Sequence, residues 1–408
     1  MNKKRKTYDF FMNSLTYIST GIAVIVLLSV FFYVFQKGAS TLSWEMVTRD
    51  YWAENYNLSF TDTAPGQFSY PGKLPEGEYF SEKYGFAVKD ALSHDKAKQI
   101  LITYVDEKSP LNSAIIETAG PSYHKEHPVQ VDSEVQKFEY MNAKGVKRSA
   151  GIIVNQDAET MIATLDDTSQ SLVGLYYKTA GGGIWGSLKA TFMLIGMSLV
   201  IALPVGISAA IYLNELAKKN RTTGLIRSAI EMLSGVPSIV FGLMGMAVFF
   251  PITALLGASG PSILLGSITL AVILMPVIIR QTEEALIVVP MGVRSASLSL
   301  GATETQTIFK VILPSALPGI LSATLLSVSR IIGESAALIY TMGTFVNDNP
   351  RLKEGATSLA VQIWSVMSGE QPNFELASAI SIIVLGIVLV MNISVKVVSS
   401  RLNRKWSV

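Results

Sequence analysis

The residues best placed to do chemistry are an arginine and a glutamate four positions apart, Arg330 and Glu334, inside a long apolar stretch. An arginine at bilayer depth costs about 2.5–3.5 kcal/mol even on lenient insertion scales, so it needs a partner or a wet cavity. At this spacing the two side chains share one face of a helix and can pair. One reading is a self-neutralising ion pair that fixes helix packing. The other has Arg330 facing a translocation path, where its guanidinium meets an oxyanion through two parallel hydrogen bonds and Glu334 holds it in check when the ion is absent. The two readings are compatible. Ser238, beside Pro237 in another apolar run, is a second polar candidate for such a path.

Other chemistry is sparse. There is no cysteine, hence no disulfide, thiol nucleophile or Fe–S cluster. His124 and His127 form a His-x-x-His pair with no convincing third ligand. With His94 they are expected to be solvated surface groups, and no metal is assigned to them. No Gly-x-x-x-x-Gly-Lys-Ser/Thr loop, Gly-x-Ser-x-Gly elbow or His-Glu-x-x-His helix occurs. The chain is therefore expected to have no catalytic residue and no cofactor of its own, and any ATP it uses must be hydrolysed by a partner.

The elements that hold these residues are set by composition. Of 408 residues, 49% are hydrophobic and only 16% charged, too apolar for an ordinary soluble enzyme. A net charge of +2, without a single basic face, gives no footprint for nucleic acid. Six segments are apolar for long enough to span a bilayer, near Leu15–Gln36, Leu188–Leu213, Ile230–Phe250, Ser262–Ile279, Ile320–Met342 and Leu376–Val398. The first follows Lys3, Lys4, Arg5 and Lys6, and its apolar run exceeds the roughly 7–15 residues of a signal peptide, so it reads as an uncleaved anchor. Alternation of the six places that tetrad with Lys218, Lys219, Arg221, Arg227, Arg280, Arg294, Lys310, Lys396, Arg401, Arg404 and Lys405 on one side. That side is the cytoplasm, and both termini, 1–14 and 401–408, lie there.

Between the first two spans, residues 37–180 are polar, with alternating runs at Ile100–Val105 and Val135–Tyr140. They predict a small soluble α/β domain outside the membrane. Gly181, Gly182 and Gly183 read as a flexible joint to the membrane domain, 181–400. Small residues, among them Gly206, Gly242 and Gly245, suit close helix packing. The overall class is an all-α, six-helix membrane protein with an inserted α/β domain.

The loop 281–314, on the cytoplasmic side, predicts two short helices. After Arg294, Ser295 and Ala296 comes Gly301, which can take positive φ at the turn between them. Thr303 and Gln306 fit a capping box. Leu313-Pro314 ends the second helix, because proline has no N–H and its ring clashes with the preceding turn.

These features resemble a known family. Gly301 and, with nine residues between, Val311-Ile312-Leu313-Pro314 are similar to the EAA loop of permeases in ATP-binding-cassette (ABC) importers. Ser295-Ala296-Ser297 stands where that family has Glu-Ala-Ala, which removes a carboxylate. Ala202-Leu-Pro204-Val-Gly206, Ile211-Tyr212-Leu213-Asn-Glu215, Ser234-Gly-Val-Pro237-Ser238-Ile-Val-Phe-Gly242 and Arg330-Ile-Ile-Gly333-Glu334-Ser335-Ala-Ala337 look like the phosphate branch of these permeases, the PstA family. The resemblance covers the first helix and roughly Gly181 to the C-terminus, and leaves the insert outside it.

It implies a type I ABC importer permease fold in the inner membrane of a bacterium and phosphate transport by alternating access. The implied partners are a PstB-like ATPase dimer docked on the loop, a second, PstC-like permease, and an extracytoplasmic PstS-like binding protein. A permease for sulfate or molybdate would share the loop without the Arg330–Glu334 signature. A sensing role added by the insert is a further alternative. An ion-coupled secondary transporter should show inverted repeats, and none is visible.

Overall fold

The computed structural model describes residues 3–60, 65–92, 98–118, 123–218, 220–369 and 372–406; Lys219 and His94 lie outside the described residues. The chain forms two compact units, Trp52–Gly182 and a second made of Met1–Tyr51 with Gly183–Val408.

In the second unit, six helices among the described residues are long and apolar enough to cross a membrane: Tyr8–Gly38, Trp185–Leu216, Ser238–Leu255, Ile263–Ile287, Glu304–Gly333 and Phe374–Arg401. The fourth span is the centre of the bundle, since 67% of its most apolar stretch is buried against 0% for the first. Small residues set the approach distances. A Cβ added to Gly206 in the second span would lie 2.6 Å from Ile278 of the fourth. One at Gly242 in the third span would meet Ala337 O at 2.8 Å, and one at Gly245 would strike Thr269 and Thr341.

The spans differ from the expected ones where proline or a capping carboxylate intervenes. The third begins at Ser238, not at Ile230. Residues Arg221–Ser234 form a separate helix whose start carries an Asn220–Thr223 capping box. Pro237 is extended, with φ −58 and ψ 138, and disfavours helical backbone at the residue before it. The fifth span starts at Glu304 and runs through Pro314, so Pro314 is not a stop. A π-helical turn, Ile308–Ile312, precedes it; its wider turn accommodates the missing N–H and the ring. The third span repeats the device, with a π turn at Gly245–Phe249 ahead of Pro251.

The segment after the first span, expected in the insert, belongs to the membrane unit as far as Tyr51. Its short helix Trp44–Thr48 adds Met46 to a core with Ile184, Leu188, Leu359 and Ile380. Gly183 is not a loose joint residue. Its N–H donates to Asp50 O at 3.1 Å, and a Cβ there would lie 1.9 Å from Arg49 O. Lys189, near the start of the second span, donates from Nζ to Asp348 O at 2.7 Å.

The unit Trp52–Gly182 is one antiparallel sheet with a helix on it, so the all-α description holds for the membrane unit and not for the insert. Its strands are β1 Asn55–Phe60, β2 Glu78–Ser81, β3 Phe86–Leu92, β4 Lys98–Val105, β5 Ala114–Ile116, β6 Glu134–Asn142, β7 Lys147–Ala150 and β8 Ser169–Lys178. The order is β2-β3-β4-β6-β8-β1-β5, with β7 also on β6. The alternating runs noted in the sequence lie in β4 and β6. Helix Ala158–Thr168 buries Ala158, Met161, Ile162 and Leu165, a spacing that puts all of them on one face. They join a core that includes Leu58, Phe86, Phe138, Leu175 and Tyr177.

One histidine contributes to that core's edge. His127, expected at the solvated surface, is half-buried, stacks on Tyr56 with ring centroids 4.3 Å apart, and lies 2.6 Å from the Tyr177 hydroxyl through Nε2. His124 is exposed, and no metal-binding group of three ligands forms among the described residues. Burial holds the His127 imidazole below its ordinary value of 6.5, with Glu54 opposing the shift. The unfolded chain therefore takes up a proton there at a higher pH than the folded unit does. Stability is full above about pH 6.5 and falls as the pH drops below it. Urea unfolding of the isolated unit should show a lower midpoint at about pH 5.5 than at about pH 7.5, and His127→Gln should shrink that difference.

Candidate functional site

The loop 281–314 is built from its turns inward. Pro290 is extended, with φ −60 and ψ 139, and opens helix Met291–Ser299. Gly301 takes φ +83, where a side chain would be strained although the space around it is open. The Thr303 box is complete: Gln306 N donates to Thr303 Oγ1 at 3.2 Å, and Thr303 N to Gln306 Oε1 at 3.0 Å. Ser297 Oγ lies 2.9 Å from Thr307 Oγ1 and ties the two helices together. Leu313 packs with Leu286, Ile308 and Ile312.

The helix Met291–Ser299 has two faces. Met291, Ser295 and Leu298 are exposed and fall at the spacing of one helical stripe, with Ala296 beside them. Arg294 and Ser297 turn the other way. Arg294 is only 17% exposed and pairs with Glu215, itself 7% exposed, at the end of the second span. Its Nη2 donates to Leu286 O at 2.8 Å, and its Nε is buried without a hydrogen-bond partner. Arg294 therefore anchors the loop to the bundle, while the outward stripe is apolar with one serine.

Glu215 and its neighbours did not figure in the sequence-based site. Glu215 accepts from Asn214 Nδ2 at 2.7 Å and sits in a π-helical turn, Tyr212–Leu216. Arg227, on the helix before the third span, donates to Leu213 O at 2.8 Å in that turn and pairs with Glu283 of the fourth span at 2.7 Å. The available signal was a carboxylate and arginines at helix ends that had no assigned partners.

Arg330 and Glu334 are not on one helix. The fifth span ends at Gly333, Glu334 is extended with φ −77 and ψ 127, and a new helix runs Ala336–Thr341. Glu334 Oε1 accepts from Ala337 N at 3.2 Å and so caps that helix. A carboxylate that satisfies a free N–H in this way competes with continuation of the helix. The self-neutralising pair does not form: among the described residues Arg330 makes no ion pair or side-chain hydrogen bond, and its side chain is exposed. It lies in the last turn of its helix, where a cation complements the exposed carbonyls.

Ser238 is the first residue of its helix, after Pro237. The third span and the helix Ala336–Thr341 pack with Gly242 on Ala337 and Gly245 on Thr341. Among the described residues no hydrogen bond joins Ser238 to Arg330 or Glu334; Glu334 lies at the break after Gly333, and Arg330 lies in the last turn before it.

Comparison with known proteins places this unit. Residues 202–405 match the family described as binding-protein-dependent transport system inner membrane component. A probable ABC transporter permease protein, YqgI of Bacillus subtilis, is 34% identical over 241 residues, 55% of this chain and 81% of that protein. Phosphate transport system permease protein PstA 1 of Mycobacterium tuberculosis strain H37Rv is 33% identical over 175 residues, 43% of this chain. PstA of Haemophilus influenzae is 32% identical over 160 residues, 39% of this chain. The chain spans about half the length of these two PstA proteins, 55% of each. Among solved structures, the inward-facing MetNI methionine ABC transporter is 25% identical with a TM-score of 0.42, over 54% of this chain and 94% of that one. With the family matched from the second span to the sixth and YqgI over most of its length, the chain belongs to the binding-protein-dependent transport system inner membrane components, the permease subunits of ABC importers.

Proposed function

We propose that this permease carries inorganic phosphate across a bacterial inner membrane by alternating access, as the PstA-type half of a heterodimer. The observation that carries the reading is Arg330, a cation in the last turn of a membrane-spanning helix that has no ion pair or side-chain hydrogen bond among the described residues, just before the break at Glu334. An unpaired guanidinium at that depth is tolerated where it lines a wet path, and its fork of donors suits a phosphate oxygen pair. The PstA names of several relatives support the same ion. A single arginine lowers the entry cost of the anion without holding it tightly, as a conducting path requires.

The outward stripe of Met291–Ser299, with Ser295 and Ala296, docks a PstB-like ATPase dimer. The Gly301 turn, the Thr303–Gln306 cap and the Leu313-Pro314 segment keep that helix in place. A PstC-like permease completes the path, and a PstS-like binding protein delivers phosphate on the outer side, where the unit Trp52–Gly182 also stands. Both termini lie in the cytoplasm, next to the basic residues.

In proteoliposomes holding the whole complex, Arg330→Ala should lower phosphate uptake roughly tenfold to a hundredfold, the range of one lost charge-assisted hydrogen-bond set. Unchanged uptake would remove Arg330 from the path. Competition by sulfate or molybdate equal to that of phosphate would reassign the ion.

Gly301→Val forces a β-branched residue to positive φ at a cost of about 1–2 kcal/mol. It should raise ATP hydrolysed per phosphate moved. Thr303→Ala, which loses a cap of about 1 kcal/mol, should do so more weakly. If both variants keep the wild-type ratio, the turn has no part in docking.

A further inference from the structure

We propose that the buried Glu215–Arg294 pair is the clasp through which movement of the helix Met291–Ser299 is passed to the spans that hold the path; this rests on the reading that an ATPase docks on that helix. Arg294 is the one charged side chain of the docking helix, and it points away from the docking face into the bundle. It holds two elements at once, the Glu215 carboxylate at the end of the second span and Leu286 O near the end of the fourth.

The turn that carries Glu215 is a junction. Tyr212–Leu216 is π-helical, and π turns recur at functional sites. On its other side Arg227 grips Leu213 O and Glu283. That arginine belongs to helix Arg221–Ser234, which leads through Pro237 to Ser238. The third span then seats Gly242 and Gly245 against the helix that Glu334 caps. A continuous set of packed and bonded groups therefore runs from the docking helix to the interruption beside Arg330, with Glu215–Arg294 as its first link.

The pair is also poorly explained as a pure fold stabiliser. Replacing a buried ion pair by apolar groups is often neutral or stabilising, and the best-attested use of such pairs is in register and switching. Arg294 Nε is buried and unused, so the guanidinium keeps a donor for a second arrangement. Buried donors are ordinarily satisfied.

The test uses the whole complex with its own liganded binding protein. Glu215→Gln removes the charge and keeps the shape. The ATPase should still co-purify and its basal rate should stay within about twofold. Stimulation by the liganded binding protein should fall roughly 5–150-fold, the range of coupling between sites. Arg294→Lys keeps the charge and loses the forked contact, and should fall between the wild type and Glu215→Gln. Both readouts are per assembled complex, so a mere loss of folded protein does not move them.

Unchanged stimulation in Glu215→Gln overturns the clasp. Failure of both variants to assemble overturns it too, by assigning the pair to folding. Failure of the wild-type chain to retain an ATPase would instead refute the docking reading, and absence of phosphate uptake by the wild type would refute the substrate reading alone.

Discussion

Every interruption of a helix in an apolar medium frees backbone N–H and C=O groups that water cannot reach, and the membrane unit is organised around satisfying them. Glu334 takes the N–H of Ala337. Arg294 takes the carbonyl of Leu286 and Arg227 that of Leu213. Lys189 takes the carbonyl of Asp348. In each case a charged side chain serves a backbone group, and Arg294, Arg227 and Lys189 also join segments distant in sequence, through Glu215, Glu283 and Asp348. The same constraint explains why charge is concentrated at helix ends, Arg330 included.

That bookkeeping links fold to mechanism. A permease needs helices that are stiff enough to move as units and interrupted enough to open a path between them. Uninterrupted packing comes from the second and fourth spans, where Gly206 lets Ile278 approach. The interruptions lie where the third span begins, after Pro237, and where the fifth ends, at Gly333–Glu334. The loop that carries Arg294 is tied by it to the first group of helices and presents its other face outward.

Much of this was legible in the residues. Apolar length gave six spans, glycine and a Thr-x-x-Gln box gave the loop's turn, and alternation gave strands β4 and β6. What escaped was whatever depended on long-range partners or on backbone alternatives of nearly equal cost. Pro314 signals a helix stop by local rules, yet a π turn keeps the helix going. Glu334 at four residues from Arg330 signals a pair, yet capping Ala337 is the competing use of the same carboxylate. The partnership of Glu215 with Arg294 spans the second span's end and the loop, and no local spacing announces it. His127 looked solvated because its neighbours in sequence are polar, whereas its neighbours in space are Tyr56 and Tyr177.

The π turn at Ile308–Ile312 has a consequence for how such chains can diverge. A π turn holds one more residue than the α turn it replaces, so the side chains on either side are rotated relative to a regular helix. Loss of one residue there together with Pro314 would restore an α turn and leave the buried face beyond it, from Ala316 to Ile332, in phase with the bundle. A change of chain length by one residue, disruptive almost anywhere else in a packed membrane helix, has a place in this one where the rest of the protein need not respond.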